Sequence, residues 1–456
     1  MKILIVSCVD DNFGDNLIRI CFEKLLCTVL CNLKVSDSEY EIARMGHKQI
    51  NRDLICSSDL VFFAGGGMFG LNYMNNFVYL DEIISLADQQ GIPVVFSSIG
   101  VNNMDATPEN EHVLSEMLAR KCFRAVSVRE NPELFRRYAA GCDYEIVEVC
   151  DPAVWAKYIY HSHLSKLHRP SGETVIGINA VRGGLFGDNG KPWKLGDEMN
   201  YFNELKKMLD EAGMRYYFYT NGSFLDNNSL LYYAKENDIP AERVIIPKST
   251  RELVETVYQF TAVAAIRMHS SIISYALDIP SVNIVWNDKI PFFYQNIHYP
   301  ERAVQFDKWN AQSVFDTLAS IGNDPDYHTD KEYLMTLYDF LYDTMSGFFQ
   351  RNAQSCEKYD FARVRTELIN NPVTLQEDID ELLIKVQKGE KHYLSRFTEM
   401  KKKDKEFRQL KKDNEKKDKE IKKLKAEISK LNTLKIVKLR KMLGRIIKKA
   451  KCMFIK

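Results

Sequence analysis

The sequence predicts an α/β protein of two Rossmann-like domains facing a cleft, followed by C-terminal helices, a coiled coil and a basic amphipathic helix. Three observations carry this reading. Short, β-branched apolar runs alternate with helical patterns in residues 1–165 and again in 173–325, which points to doubly wound parallel sheets. A regular apolar spacing of three and four sets in after residue 400. The charge is also unevenly spread: the 456 residues hold 62 Lys+Arg and 62 Asp+Glu, but residues 391–456 hold 25 and 8. An acidic body of net −17 thus carries a tail of net +17, and each needs its own account.

In the first domain, residues 2–7 (KILIVS) form a buried strand, followed by a loop (DDNFGDN) and a helix through Leu30. The next strand, 59–64, ends in Gly65-Gly66-Gly67, with a helix around 78–90. A strand at 93–99, a helix at 109–121, a strand at 124–128 and a helix at 131–139 complete the pattern. Residues 156–172, with three His and a Pro-Ser-Gly, read as the interdomain linker.

The second domain opens with a strand at 174–179 and a long polar loop from Arg182 to Glu198. Helices at 200–212, 227–237, 250–259 and 270–278 then alternate with strands at 215–220, 243–246, 262–266 and 281–285. Residues 330–390 read as a helical extension.

In the tail, Phe407, Leu410, Asn414, Lys417, Ile421, Leu424, Ile428 and Leu431 form an a/d stripe with a polar interruption. That predicts a coiled coil over 400–433 and homo-oligomerisation through it. After Glu427 no acid occurs, and in 434–456 Ile436, Leu439, Leu443, Ile446, Ile447 and Phe454 share one helix face, with Lys and Arg on much of the rest. Such a helix suits peripheral contact with an anionic membrane; the alternative is a solvated charged helix. Nucleic acid is not the expected partner, because neither an aromatic platform nor a known binding fold accompanies the charge.

Ten cysteines without a C-x-x-C pair, most of them among apolar neighbours, suit free thiols in a reducing cytosol. The start, MKILIVSCV, has too short an apolar run for a signal peptide and meets Asp10, Asp11 and Asp15 at once. No segment has the roughly 20 apolar residues of a spanning helix. A cytoplasmic protein is expected, its tail at the inner face of the cell membrane.

Arg267-Met268-His269 follows an apolar strand and precedes a helix. This places a guanidinium, an imidazole and unpaired backbone N–H groups at one helix N-terminus, a natural site for phosphate or carboxylate. The alternative is an Arg paired with an acid beside a structural His. Arg182 also follows a strand of this domain. Asp15, in Asn12-Phe13-Gly14-Asp15, opens the first helix as either an N-cap or a reactive carboxylate. Gly65-Gly66-Gly67 permits close backbone approach to a ligand or makes a tight turn. Neither G-x-G-x-x-G nor G-K-[ST] occurs, which weakens a dinucleotide or NTPase reading. The histidines at 161, 163 and 168 lack the neighbours of a metal site.

Taken in order, several segments resemble the polysaccharide pyruvyl transferase family. They are Asn12-x-Gly14-Asp15, Gly65-Gly66-Gly67, GIPVVFSSIGV at 91–101, Ser127-Val128-Arg129-Glu130, Asp151-Pro152-Ala153, and RMHSSIISYALDIPSV at 267–282 with Asp288-Lys289 beyond. The resemblance spans about residues 1–320 and leaves out the coiled coil and basic end. It implies a GT-B-like pair of domains that transfers pyruvyl from phosphoenolpyruvate to two hydroxyls of a glycan or lipid-linked oligosaccharide, forming a cyclic ketal. No metal or other cofactor is implied. By the family's R-x-H motif, Arg267 holds the donor's phosphate or carboxylate, and His269 is proton donor or phosphate partner. Arg182, Ser270, Asn12, Gly14, Gly65, Gly66 and Gly67 are further substrate-binding candidates. Asp15 is a candidate base for an acceptor hydroxyl. Glu130 stands where Asp is more familiar, and the long loop Gly183–Glu198 departs from the pattern. The competing readings are a glycosyltransferase of the same architecture using a nucleotide sugar, and a non-catalytic membrane-associated relative.

Overall fold

The computed structural model describes residues 1–8, 12–68, 73–101, 107–194, 196–321, 327–351 and 356–453. Of the positions named above, Asp10, Asp11, Leu195 of the long loop and Phe454 lie outside these. The first sheet contains β1 (Lys2–Ser7), β2 (Glu41–Gly46), β3 (Leu60–Ala64), β4 (Val94–Ile99), β5 (Phe123–Val128) and β6 (Ile146–Glu148), in the order β2-β1-β3-β4-β5-β6. The second contains β7 (Val175–Asn179), β8 (Arg215–Tyr219), β9 (Val244–Ile245), β10 (Ala262–Ala265), β11 (Ser281–Val285) and β12 (Ala303–Gln305), in the order β12-β11-β10-β7-β8-β9. Every strand pair is parallel.

Of the strands read from apolar runs, β3, β4, β7, β10 and β11 are buried on both faces. The strand order reverses between β1 and β3 in one sheet and between β7 and β10 in the other. Ligands of open α/β sheets bind beyond the carboxyl ends of strands at such reversals. Asn12 to Asp15 follow β1 and the three glycines follow β3; Arg182 follows β7 and Arg267 to Ser270 follow β10. Both reversal points therefore carry the candidate residues.

Helices that bear on the site are labelled in chain order: α1 (Phe13–Asn32), α2 (Phe224–Glu236), α3 (Thr250–Tyr258), α4 (Met268–Ala276), α5 (Lys289–Asn296), α6 (Lys331–Phe348), α7 (Phe361–Asn370) and α8 (Leu375–Met453). The expected linker is partly core: Ala156–Ile159 and His161–Leu164 are short helices, and Ile159 and Tyr160 are fully buried. The long loop is likewise anchored, since Leu185–Asp188 is helical and Trp193 packs edge-on to Phe186 at 5.0 Å.

The first turns of α8 tie both sheets' layers together. The Glu381 carboxylate accepts from Asn16 Nδ2 of α1 at 3.2 Å, and from the Thr250 amide (3.1 Å) and hydroxyl of α3. Asp378 pairs with Arg251 at 3.3 Å, and Glu377 with Lys24 at 3.1 Å. The chain divides into two compact units, 1–385 and 386–456. In the second, α8 continues unbroken to Met453. Among the described residues no helix is long and apolar enough to cross a membrane.

Candidate functional site

The N-terminus of α1 meets that of α4 across the two sheets. Asn12 caps α1, its side chain accepting from the Gly14 amide at 3.1 Å. The capping role considered for Asp15 is thus filled by Asn12, and Asp15 stands half-buried in the first turn. The Phe13 amide donates to the Asn221 carbonyl at 2.9 Å, joining α1 to the end of β8. Gly14 is buried against the imidazole of His269: a Cβ there would lie 2.4 Å from the ring's Cγ and Nδ1. Gly65 and Gly66 form a buried turn with φ of +62° and +85°, a region that favours glycine. Gly67 is half-buried beside them.

At α4, Arg267 is the N-cap residue but makes no side-chain capping bond, which leaves first-turn N–H groups in the arrangement that favours an anion. Its guanidinium is held bidentately by Asp226 of α2, at 2.9 and 2.8 Å, and that carboxylate is fully buried. The Arg267 amide donates to Asn179 Oδ1 at 2.9 Å. Asp226 also accepts from the Arg182 amide at 2.9 Å, while the Arg182 guanidinium pairs with Asp188 at 2.6 Å. Ser270 is fully buried, its hydroxyl donating to Asn221 Oδ1 at 2.8 Å.

His269 is 7 % exposed, and among the described residues its Nε2 has no hydrogen-bond partner. Burial pushes its pKa well below the ordinary range, and the charges of Arg129, Lys289 and Arg267 push it further the same way. The resting imidazole is therefore neutral at neutral pH. Lys289, first residue of α5, is half-buried. Its pKa is lowered by burial first and by Arg129 and Arg267, against the opposing pull of Glu130 and Asp15. Among the described residues no carboxylate forms an ion pair with it; its ammonium lies 5.7 Å from the Trp286 ring centroid. Arg129 pairs with Glu130 at 2.7 Å and with Asp151, all three buried. Glu130 Oε1 has no hydrogen-bond partner among the described residues, and burial raises that carboxyl's pKa. Three cations thus act on an imidazole whose Nε2 has no hydrogen-bond partner among the described residues.

A family model described as polysaccharide pyruvyl transferase matches residues 6–288. That span runs from β1 to the residue before Lys289 and takes in both reversal points. The chain belongs to the polysaccharide pyruvyl transferase family.

As a member of this family it is a transferase with a polysaccharide acceptor. Its fold is GT-B-like. A UDP-GlcNAc 2-epimerase from Neisseria meningitidis, bound to UDP-GlcNAc, superposes with a TM-score of 0.50 at 11% identity, covering 76% of this chain and 100% of the other. A UDP-GlcNAc 2-epimerase from Methanocaldococcus jannaschii gives 0.49 at 9%, covering 76% and 100%. A spinosyn rhamnosyltransferase complexed with spinosyn aglycone gives 0.40 at 12%, covering 77% and 100%. At 11% identity the first of these shares the fold alone. No curated protein matches the sequence.

Within this pyruvyl transferase family member, sequence reasoning assigned no role to Lys289, Asp226, Asn179 or Asn221. Lys289 had a signal, since it follows β11 at the carboxyl edge of the sheet. Asp226 had none, lying 41 residues from Arg267 inside a helix. Arg182 is not among the cations acting on His269. A cavity of about 740 Å³, lined by residues of β5, β6 and α6 such as Val147, Asp339 and Phe340, shares no residue with the cluster. Among the described residues no His, Cys, Asp and Glu side chains gather as a metal-ligand set.

Proposed function

We propose that the protein transfers a pyruvyl group from phosphoenolpyruvate to two hydroxyls of one sugar in a cell-surface or exopolysaccharide glycan or its lipid-linked precursor, forming a cyclic ketal. The observation that carries this is the group of Arg129, Lys289 and Arg267 acting on the neutral His269, whose Nε2 has no hydrogen-bond partner among the described residues. A small ester bearing a phosphate and a carboxylate finds cations there in Arg129, Arg267 and Lys289, and the start of α4, where Arg267 makes no capping bond, adds N–H donors.

The chemistry then divides among the residues present. Protonation of the donor's methylene carbon makes C2 electrophilic, and one sugar hydroxyl adds there. Phosphate leaves from the tetrahedral intermediate, and the second hydroxyl closes the ring as it loses its proton. The resting His269 holds no extra proton to give. Anionic donor bound among the three cations offsets their field and so favours a proton on the imidazole, against the burial that lowers its pKa most. Arg267, oriented by Asp226, and Lys289 steady the charge that passes to the departing phosphate. Asp15 acts on the pKa of Lys289, which supports reading it as base toward an acceptor hydroxyl. Asn12, Gly14, Gly65, Gly66, Gly67 and Ser270 shape the pocket through the backbone, and Arg182 does so through the amide it gives Asp226. In the tail, the stripe over 400–433 pairs copies of the chain, and the basic end brings the enzyme to the inner face of the membrane, where a lipid-linked acceptor resides.

Thermal protection tests the donor. Phosphoenolpyruvate at about 100 times its Kd adds about 2.7 kcal/mol of stability, and that protection should vanish in Arg267→Ala. Phosphate release should require added glycan and fall about 10²–10⁴-fold in His269→Ala. Protection by nucleotide sugars with none from phosphoenolpyruvate would overturn the assignment in favour of glycosyl transfer.

A further inference from the structure

We infer that the end of α8, from Leu434 to Met453, lies flat on a membrane surface rich in anionic phospholipid. This deepens the membrane contact proposed above and needs nothing from the catalytic assignment. The segment is helical throughout. It carries eight Lys and Arg residues and no acid. At 3.6 residues per turn, Ile436, Leu439, Leu443, Ile446 and Ile447 fall within an arc of about 100°. Lys438, Lys441, Arg445, Lys448 and Lys449 fall on the opposite side, while Lys435, Arg440 and Lys451 flank the arc. Flanking cations of this kind keep their charges at headgroup level while their stems cover apolar surface. Leu439, Met442 and Leu443 are 57%, 60% and 51% exposed, large apolar side chains left in water unless something covers them.

The charge pattern selects lipid over a second copy of the helix. Continuing the seam beyond Leu431 by alternating steps of four and three reaches Lys435, Lys438, Met442 and Arg445. Paired helices would set like charges against each other at three of these four positions, so the oligomerising stripe stops where the amphipathic arc begins. Nucleic acid would satisfy the cations but leave the aliphatic arc exposed. An anionic bilayer surface covers the aliphatic arc and pairs the cations that flank it, while the opposite face stays in water.

Sedimentation of the full chain with vesicles tests this. Binding is expected to vesicles of equal parts phosphatidylcholine and phosphatidylglycerol and not to phosphatidylcholine alone. It should weaken about fivefold for each cation replaced among the flanking Lys435, Arg440 and Lys451, and fall as salt rises. A Leu439→Glu/Leu443→Glu variant, its helix content checked by circular dichroism, should lose binding. Equal binding to both vesicle types, binding to neither, retention in the double variant, or displacement from anionic vesicles by duplex DNA would each overturn the inference. Anionic-vesicle binding without pyruvyl transfer would uphold this inference and count against the catalytic one; transfer in solution without vesicle binding would do the reverse.

Discussion

Gly14 and His269 show how closely the starts of α1 and α4 are packed. Gly14 lies in the first turn of α1, where Ala is the better helix former, yet a methyl group there would meet the imidazole at 2.4 Å. Gly14→Ala is therefore expected to keep the fold's melting temperature within a few degrees while cutting turnover at least tenfold, measurable by phosphate release. His269 also makes a pH prediction. Its folded pKa lies well below the unfolded value of about 6.5, so between the two the unfolded chain binds more protons. Stability should thus rise with pH through this window and be lost as pH falls below about 6.5. Urea denaturation from pH 7.5 to 5 should show that slope, and His269→Gln should flatten it. The R-x-H triplet was legible because both residues sit in one short stretch after an apolar strand. Asp226 was not legible, because its partnership with Arg267 depends on two helices packing side by side.

At the scale of elements, the three strands that escaped recognition, β2, β6 and β12, are sheet edges, while the strands read in advance are central except for the edge strand β9. Edge strands show half-exposed or polar patterns, as in Glu41–Gly46 and Ile146–Glu148. A neighbour's hydrogen bonds hold them in place, not a buried run of their own. The start of α8 is likewise read only from packing. Glu381 is 2% exposed and takes its hydrogen bonds from α1 and α3 at once. Removing it leaves buried donors on both helices unsatisfied. Glu381→Ala should cost about 1–3 kcal/mol and, by loosening α1 against α3, weaken phosphoenolpyruvate binding, as calorimetry would show.

For the whole molecule, the division at residue 385 implies separable work. A chain ended at about residue 390 retains Glu377, Asp378 and Glu381, and is expected to fold and keep its transfer activity in solution. It should sediment as a smaller species than the full chain, because the stripe of 400–433 is gone. An unchanged oligomeric state would place the contact in the body.

By itself the sequence determined the two alternating α/β patterns, the order of the motifs and the charge asymmetry, since each depends on local periodicity and residue type. Only the tertiary structure decided that Asn12 and not Asp15 caps α1, that Asp226 holds Arg267, and that Lys289 and Arg129 act on His269. These relations join residues up to 140 positions apart, brought together where the two sheets' carboxyl edges meet. No local pattern records such a meeting, because it depends on how the layers pack.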